Sequence, residues 1–219
     1  MAVTGDDLRA MLAEIATAIA AEKDELCRLD GVIGDADHGV AMALGFGAAR
    51  DAAAALDPGA DPTAVLNAAA RAFLSAVGAS TGPLYATALM RAGAAVKGKA
   101  ALDDADVVAL VQAMAKGIAD RGKAEPGEKT MLDAWAPAAE AIAATPGPLA
   151  ARLAAAEAAA QAGAEATKAM VAGKGRSSRL GERALGHIDP GAASAVIVIA
   201  AMSRALGRVR SSSGPRPAV

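Results

Sequence analysis

The apolar half of this sequence is built with almost no aromatic residues, and that limits the folds open to it. Apolar side chains make up 54% of the chain and aromatics only 2%; alanine carries most of the difference. Alanine is the best helix former, and its small side chain lets helices approach closely. A chain of 219 residues is long enough to bury a substantial core. The expectation is many helices packed tightly against one another.

The periodicity agrees. Leu8, Met11, Leu12, Ile15 and Ile19 recur at three- and four-residue steps. Helices are predicted over about 5–27, 37–56, 63–77, 83–97, 104–120, 130–144, 147–172 and 190–206. Pro83 suits a first helical turn. Asp103 or Asp104, and Thr130, suit N-caps. DPGADP at 57–62 is turn chemistry. Strand alternation is absent except in VIVIA, which follows the helix-start signal DPGA and is therefore assigned to helix. The fold class predicted is all-α, one domain over residues 1–207, with a disordered tail, RVRSSSGPRPAV, from about 208.

The net charge of −2 argues against a nucleic-acid partner. The acidic N-terminus, MAVTGDDLRA, lacks the pattern of a signal peptide. The longest strongly apolar run, Ala192 to Met202, is shorter than the ~20 residues a membrane span needs. Cys27 is the single cysteine, so no internal disulfide framework is expected. A cytoplasmic protein with no membrane partner is the expectation.

Unusual composition is confined to four stretches: 29–39, 78–83, 121–130 and 173–191. They follow the first, third, fifth and seventh predicted helices. In an up-and-down bundle they therefore emerge at one end. Asp30, Asp35 and Asp37 lie in the first, LDGVIGDADHG. Aspartates serve routinely as caps and turn formers. Three within eight residues, interleaved with Gly31 and Gly34, repel one another unless a hard cation lies among them. The spacing does not suit an EF-hand, because the twelfth position from Asp35 is Phe46 rather than glutamate. Mg²⁺ suits better, taking few carboxylates and sharing phosphate oxygens. His38 follows at a helix start, either hydrogen-bonded to the carboxylates or in contact with phosphate or the metal shell; a covalent phosphohistidine is a third reading.

The second stretch, GASTGP, offers backbone N–H groups and two hydroxyls to a phosphate, or is an interhelical turn; it is no Walker A motif. The third, GKAEPGEKTM, holds charges that are solvated or near phosphate, with Met131 against a base or in the core. In the fourth, Arg176 lies among glycines and basic residues, a pattern that binds phosphate. Asp189 caps the last helix or holds a ribose or base edge.

Taken in order, IGDADHG, GASTGPLYATALMRAG, RGKAEPGEKTMLDAW and GKGRSSRLGER-x-x-GHIDPGA resemble the L-subunit family of dihydroxyacetone kinases, DhaL. The likeness covers Asp30 to about Ser194. It is nearest to the subunit of phosphotransferase-dependent bacterial kinases. The resemblance implies a single-domain barrel of about eight antiparallel amphipathic helices with the nucleotide at one end. It implies that Asp30, Asp35 and Asp37 hold two Mg²⁺ ions. His38, Gly39, Val40 and Ala41, with Ala79, Ser80 and Thr81, would line the phosphate side. Gly122, Met131, Arg176, Asp189, Pro190 and Gly191 would be further nucleotide contacts. Asp30, Asp35, Asp37 and Arg176 are the implied catalytic set. Two departures are visible: GASTGP where the family commonly reads GGASGP, so that Thr81 replaces a serine, and Ala41 where an asparagine is common.

The resemblance further implies bound ADP, recharged to ATP by a phosphotransferase-system M subunit. The γ-phosphoryl group then passes to dihydroxyacetone held on a separate K subunit. A directly ATP-dependent kinase subunit for another small ketose, such as erythrulose, is an alternative. So is a nucleotide-sensing module that binds a transcription regulator. A purely structural bundle would keep nucleotide binding when the three aspartates are replaced.

Overall fold

A computed structural model describes residues 2–78, 81–175 and 177–208. Among these, nine α-helices carry the fold: α1 (Gly5–Ala21), α2 (Lys23–Ile33), α3 (His38–Ala54), α4 (Pro62–Ala76), α5 (Thr81–Ala95), α6 (Asp104–Gly122), α7 (Leu132–Ala144), α8 (Leu149–Ala166) and α9 (Pro190–Arg208). From α3 to α9 each helix packs on the next, and α1 packs on both α3 and α9. The ring therefore closes into a helical barrel, as expected. α2 lies across α3 and α9.

Local chemistry starts these helices where the sequence places them. Thr4 caps α1 and Asp103 caps α6, each in a reciprocal capping box with the aspartate three residues on. Asp61 caps α4, with Pro62 in its first turn. The residues predicted to face the core from α1 do so: Leu8, Met11, Leu12, Ile15 and Ile19 are all buried. VIVIA is helical, inside α9.

The few aromatic residues meet in one cluster. Phe46 stands edge-on to Phe73 and Tyr85 at 5.0 and 5.3 Å between ring centres, and Tyr85 lies 6.5 Å from Trp135. These rings join α3, α4, α5 and α7 inside the barrel. Gly45 makes room for them, since a Cβ there would lie 2.4 Å from Cζ of Phe73.

Several boundaries differ from expectation. The first predicted helix breaks at Glu22, and α2 continues to Ile33. Leu26 and Ile33, seven residues apart, both face inward and extend the apolar stripe. Asp30 therefore stands on a helix rather than in a loop. α8 ends earlier than predicted, passing into a 3-10 turn at Thr167–Ala169. The segment 173–191 holds a second 3-10 stretch, Ser177–Ala184, bent at Gly181 where φ is 55°. Two short strands, β1 (Val3–Thr4) and β2 (Ala101–Leu102), pair antiparallel. Arg208 closes α9, and the remainder of the expected tail lies outside the described residues. Among the described residues, α9 alone is long and apolar enough to cross a membrane, longer than the run Ala192–Met202 suggests; 56% of its apolar window is buried inside the protein.

Candidate functional site

The connections after α2, α4, α6 and α8 meet around one cavity of about 730 Å³, within the usual range for small-molecule sites. The parity expected from the sequence survives because α1 and α2 together take the place of the first predicted helix.

Asp30, in the last turn of α2, forms one corner. It is buried, and its Oδ2 accepts the backbone N–H groups of Asp37 (3.0 Å) and His38 (3.2 Å). It thereby satisfies donors at the start of α3 that would otherwise lack partners. Asp37 occupies the N-cap position, yet its side chain makes no capping bond. Between Asp35 and Asp37 the chain passes through left-handed Ala36, φ 63°. That reversal returns both exposed carboxylates toward Asp30. One oxygen from each of the three lies within 4.8 Å of the others. Gly34 is required for this packing, because a Cβ there would stand 2.2 Å from Oδ1 of Asp30. Three converging carboxylates, two of them open to solvent, suit a hard divalent ion with room for phosphate and water ligands.

His38 turns inward. Its Nε2 lies 2.9 Å from Oγ of Ser194 on α9, and that hydroxyl donates to the Gly191 carbonyl. Burial pushes the imidazole below its ordinary pKa, against the pull of the Asp30 carboxylate and the Pro190 backbone. That shift favours the neutral imidazole. Gly39 is buried where α3 crosses α2, close to the Lys23 carbonyl. Val40 and Ala41 line the cavity, as do Thr81 at the start of α5, Gly122 at the end of α6, and Met131. Ala79, Ser80 and Arg176 lie outside the described residues.

Beside the His38–Ser194 pair, Asp189 caps α9, accepting from Ala192 N at 2.7 Å, and its own N–H donates to Oγ1 of Thr167. The capping role expected for it is present, and it lines the cavity together with Pro190 and Gly191. Burial raises its carboxyl to a pKa of about 7; the Ala192 N–H and Lys129 oppose the rise, while Asp133 and Asp30 add to it. Thr130 does not cap α7 as expected: the N-cap position falls one residue later, on Met131, which makes no side-chain capping bond, while Leu132 N donates to Oγ1 of Thr130 and the Thr130 N–H donates to Asp133.

Sequence reasoning missed Ser194, Arg121 and Lys174, and left Lys129 among loop charges that are solvated or near phosphate. Arg121 and Lys174 bring positive charge to the cavity wall. Nothing distinguishes them from neighbouring solvated charges in the sequence. Ser194 carries a weak signal, a polar residue on the inward stripe of an apolar helix.

A family model described as the DAK2 domain matches residues 32–204. The chain belongs to the DAK2 domain family. In Escherichia coli K12 a relative named PEP-dependent dihydroxyacetone kinase, ADP-binding subunit DhaL, is 38% identical over 183 residues, covering 81% of this chain and 86% of that one. D-erythrulose kinase of Mycolicibacterium smegmatis is also 38% identical, over 184 residues, but those make up only 32% of that longer protein and 82% of this chain. The fold is shared with the crystal structure of the dihydroxyacetone kinase from C. freundii in complex with AMP-PNP and Mg²⁺, at a TM-score of 0.72 and 24% identity. That alignment covers 93% of this chain, which spans about a third (34%) of the C. freundii chain.

Proposed function

We propose that this chain is the ADP-binding subunit of a dihydroxyacetone kinase. The observation that carries the reading is the convergence of Asp30, Asp35 and Asp37 beside the N-terminus of α3, at the mouth of the cavity. The E. coli relative, matched over most of both chains, supports it.

In this reading residues 1–207 form the nucleotide-binding unit. Asp30, Asp35 and Asp37 hold two Mg²⁺ ions. Bound there, the ions would neutralise charge on the phosphates and on the group in transfer. The opening turn of α3, with Val40 and Ala41, and the start of α5 at Thr81 bring helix N-termini to the phosphate side, where the dipole favours anions. Ala79, Ser80 and Arg176 belong to the same assignment. Arg121 and Lys174 add positive charge to the wall. Met131, Gly122 and the segment Asp189–Gly191 enclose the nucleoside side.

The γ-phosphoryl group passes from the β-phosphate oxygen of ATP to a hydroxyl oxygen of dihydroxyacetone on the K subunit. The hydroxyl proton leaves to a base that this chain does not need to supply. ADP stays bound, and a phosphotransferase-system M subunit returns a phosphoryl group to it. Catalysis of this kind is positioning and charge stabilisation rather than covalent chemistry by the protein. The apolar pair Val40 and Leu44 stands exposed on the cavity rim, 46% and 58% accessible. A partner docking over the mouth would cover it.

Native mass spectrometry of the purified chain tests the reading. Retained ADP with two Mg²⁺ supports a resident nucleotide and the phosphotransferase route. Loss of nucleotide with ready exchange of ATP favours the direct ATP-dependent route. A chain that binds neither ADP nor ATP refutes both. Coupled assays with the K subunit, supplied with dihydroxyacetone or erythrulose, identify the sugar.

A further inference from the structure

Lys129 is the least solvent-exposed charged side chain among the described residues, 1% accessible, in a loop whose other lysine, Lys123, is open to solvent. Its backbone is left-handed, φ 59°, a conformation non-glycine residues hold only when their surroundings impose it. The ammonium donates to two backbone carbonyls, Thr167 at the end of α8 and His187 on the approach to α9. It also faces the carboxylates of Asp189 and Asp133.

These bonds tie together segments distant in sequence. Thr167, fully buried, donates to the Ala164 carbonyl and accepts from Asp189 N–H. Gly186 N–H donates to the Lys168 carbonyl. Asp133 holds the other side of the loop, accepting from Gly127 and Thr130. Lys129 is thus the joint between two cavity walls: Thr130–Met131, next to it in the chain, and Asp189–Gly191, two residues beyond His187. An apolar side chain would fill the same space without the cost of burying an ammonium. What the ammonium adds is a fixed register between the walls.

We infer that Lys129 is a positioning residue that clamps Asp189–Gly191 against Met131 and so sets affinity for the nucleoside half of the ligand, leaving the metal–phosphate half to the aspartates. The inference rests on the nucleotide reading above. It also reassigns the lysine: its nitrogen is committed to carbonyls rather than to phosphate.

The test compares binding of MgADP and of magnesium pyrophosphate by titration calorimetry, with folding checked by circular dichroism. Lys129→Met should lose at least about tenfold in ADP affinity, the scale of losing charge-assisted hydrogen bonds that fix a contact loop. Pyrophosphate affinity should stay within about twofold, since none of the clamp's hydrogen bonds involves Asp30, Asp35 or Asp37. An unchanged ADP affinity overturns the inference, and so does an equal loss for both ligands, which is what a general structural role produces. Should Lys129→Met fail to fold, Thr167→Val decides. It removes the hydroxyl that anchors Asp189 while leaving the lysine in place. A loss confined to ADP supports the clamp; no loss, or an equal loss for both ligands, overturns it. Wild-type protein that binds no ADP removes the nucleotide reading itself, and the clamp with it. Wild-type protein that binds ADP no better than Lys129→Met removes the clamp alone.

Discussion

The carboxylate of Asp30 and the backbone N–H of His38 meet at 3.2 Å across the junction of α2 and α3. One side chain therefore does two jobs: it caps a helix and forms the buried corner of the acidic cluster. The other two aspartates are exposed, and Asp37, at the N-cap position of α3, makes no side-chain capping bond.

That division predicts different outcomes for three similar substitutions. Asp30→Ala should lower unfolding free energy by about 1 kcal/mol, the usual cost of a lost cap, and should also abolish tight MgADP binding. Asp35→Ala and Asp37→Ala should weaken MgADP binding while changing metal-free stability by less than about 0.5 kcal/mol, as for surface sites. Urea titration with and without Mg²⁺, alongside calorimetry, separates the two patterns. Equal destabilisation by all three would contradict the double role of Asp30.

The aromatic cluster gives a packing prediction. Gly45→Ala places a methyl group 2.4 Å from the Phe73 ring. Overpacking of this kind costs about 1–3 kcal/mol. Trp135 is the only tryptophan and touches the cluster through Tyr85, so its fluorescence should shift as the rings rearrange. A variant as stable as wild type with unchanged emission would show that the rings are free to move aside.

Asp189 gives a pH prediction. Its folded pKa, about 7, lies above the ordinary aspartate value of 3.8. Between these values the folded state binds the extra proton. Stability from this group is therefore full below about pH 3.8 and is lost as pH rises through about 7. His38 acts in the opposite sense: its folded pKa is lowered, so its contribution is present above the ordinary histidine value and is lost as pH falls. Asp189→Asn isolates the first effect. In metal-free buffer, the stability of wild type relative to Asp189→Asn should fall from pH 4 to pH 7 and then level off. A difference that stays flat, or rises, across that window contradicts the assignment.

The rim makes a prediction about transfer. Leu44→Asp puts a charge on a side chain that is 58% exposed at the cavity mouth. ADP binding should persist within about twofold, because an exposed substitution perturbs its surroundings little. Phosphoryl transfer to substrate on the K subunit should fall by about tenfold or more, as expected when an apolar interface anchor is replaced by a charge. Unimpaired transfer would show that the partner docks elsewhere.

Much of the architecture is legible in the residues themselves. Helix faces, capping boxes and proline punctuation are local signals, and α1, α4 and α6 begin where those signals stand. The one-ended clustering of loops follows from counting helices. Asp30 is less legible because Gly31, Gly34 and the aspartates resemble a loop, while the burial of Leu26 and Ile33 carries the helix onward to Ile33. Lys129 is illegible for a different reason. Its burial is set by Thr167 and His187, 38 and 58 residues away, and no local pattern separates it from the exposed Lys123. The spacing of Asp30, Asp35 and Asp37 marked the acidic cluster, and the resemblance of four ordered motifs pointed to residues of which Val40, Ala41, Thr81, Gly122, Met131 and Asp189–Gly191 line the cavity; neither offered anything on the clamp behind them.

The most direct measurement is a crystal structure of the chain grown with Mn²⁺ and ADP, read through the anomalous signal of the metal. The account predicts metal peaks within coordination distance of Asp30, Asp35 and Asp37, with the diphosphate on the same ions and the adenine toward Met131. Nucleotide bound elsewhere, or metal held by phosphate while the three carboxylates point away, would contradict it.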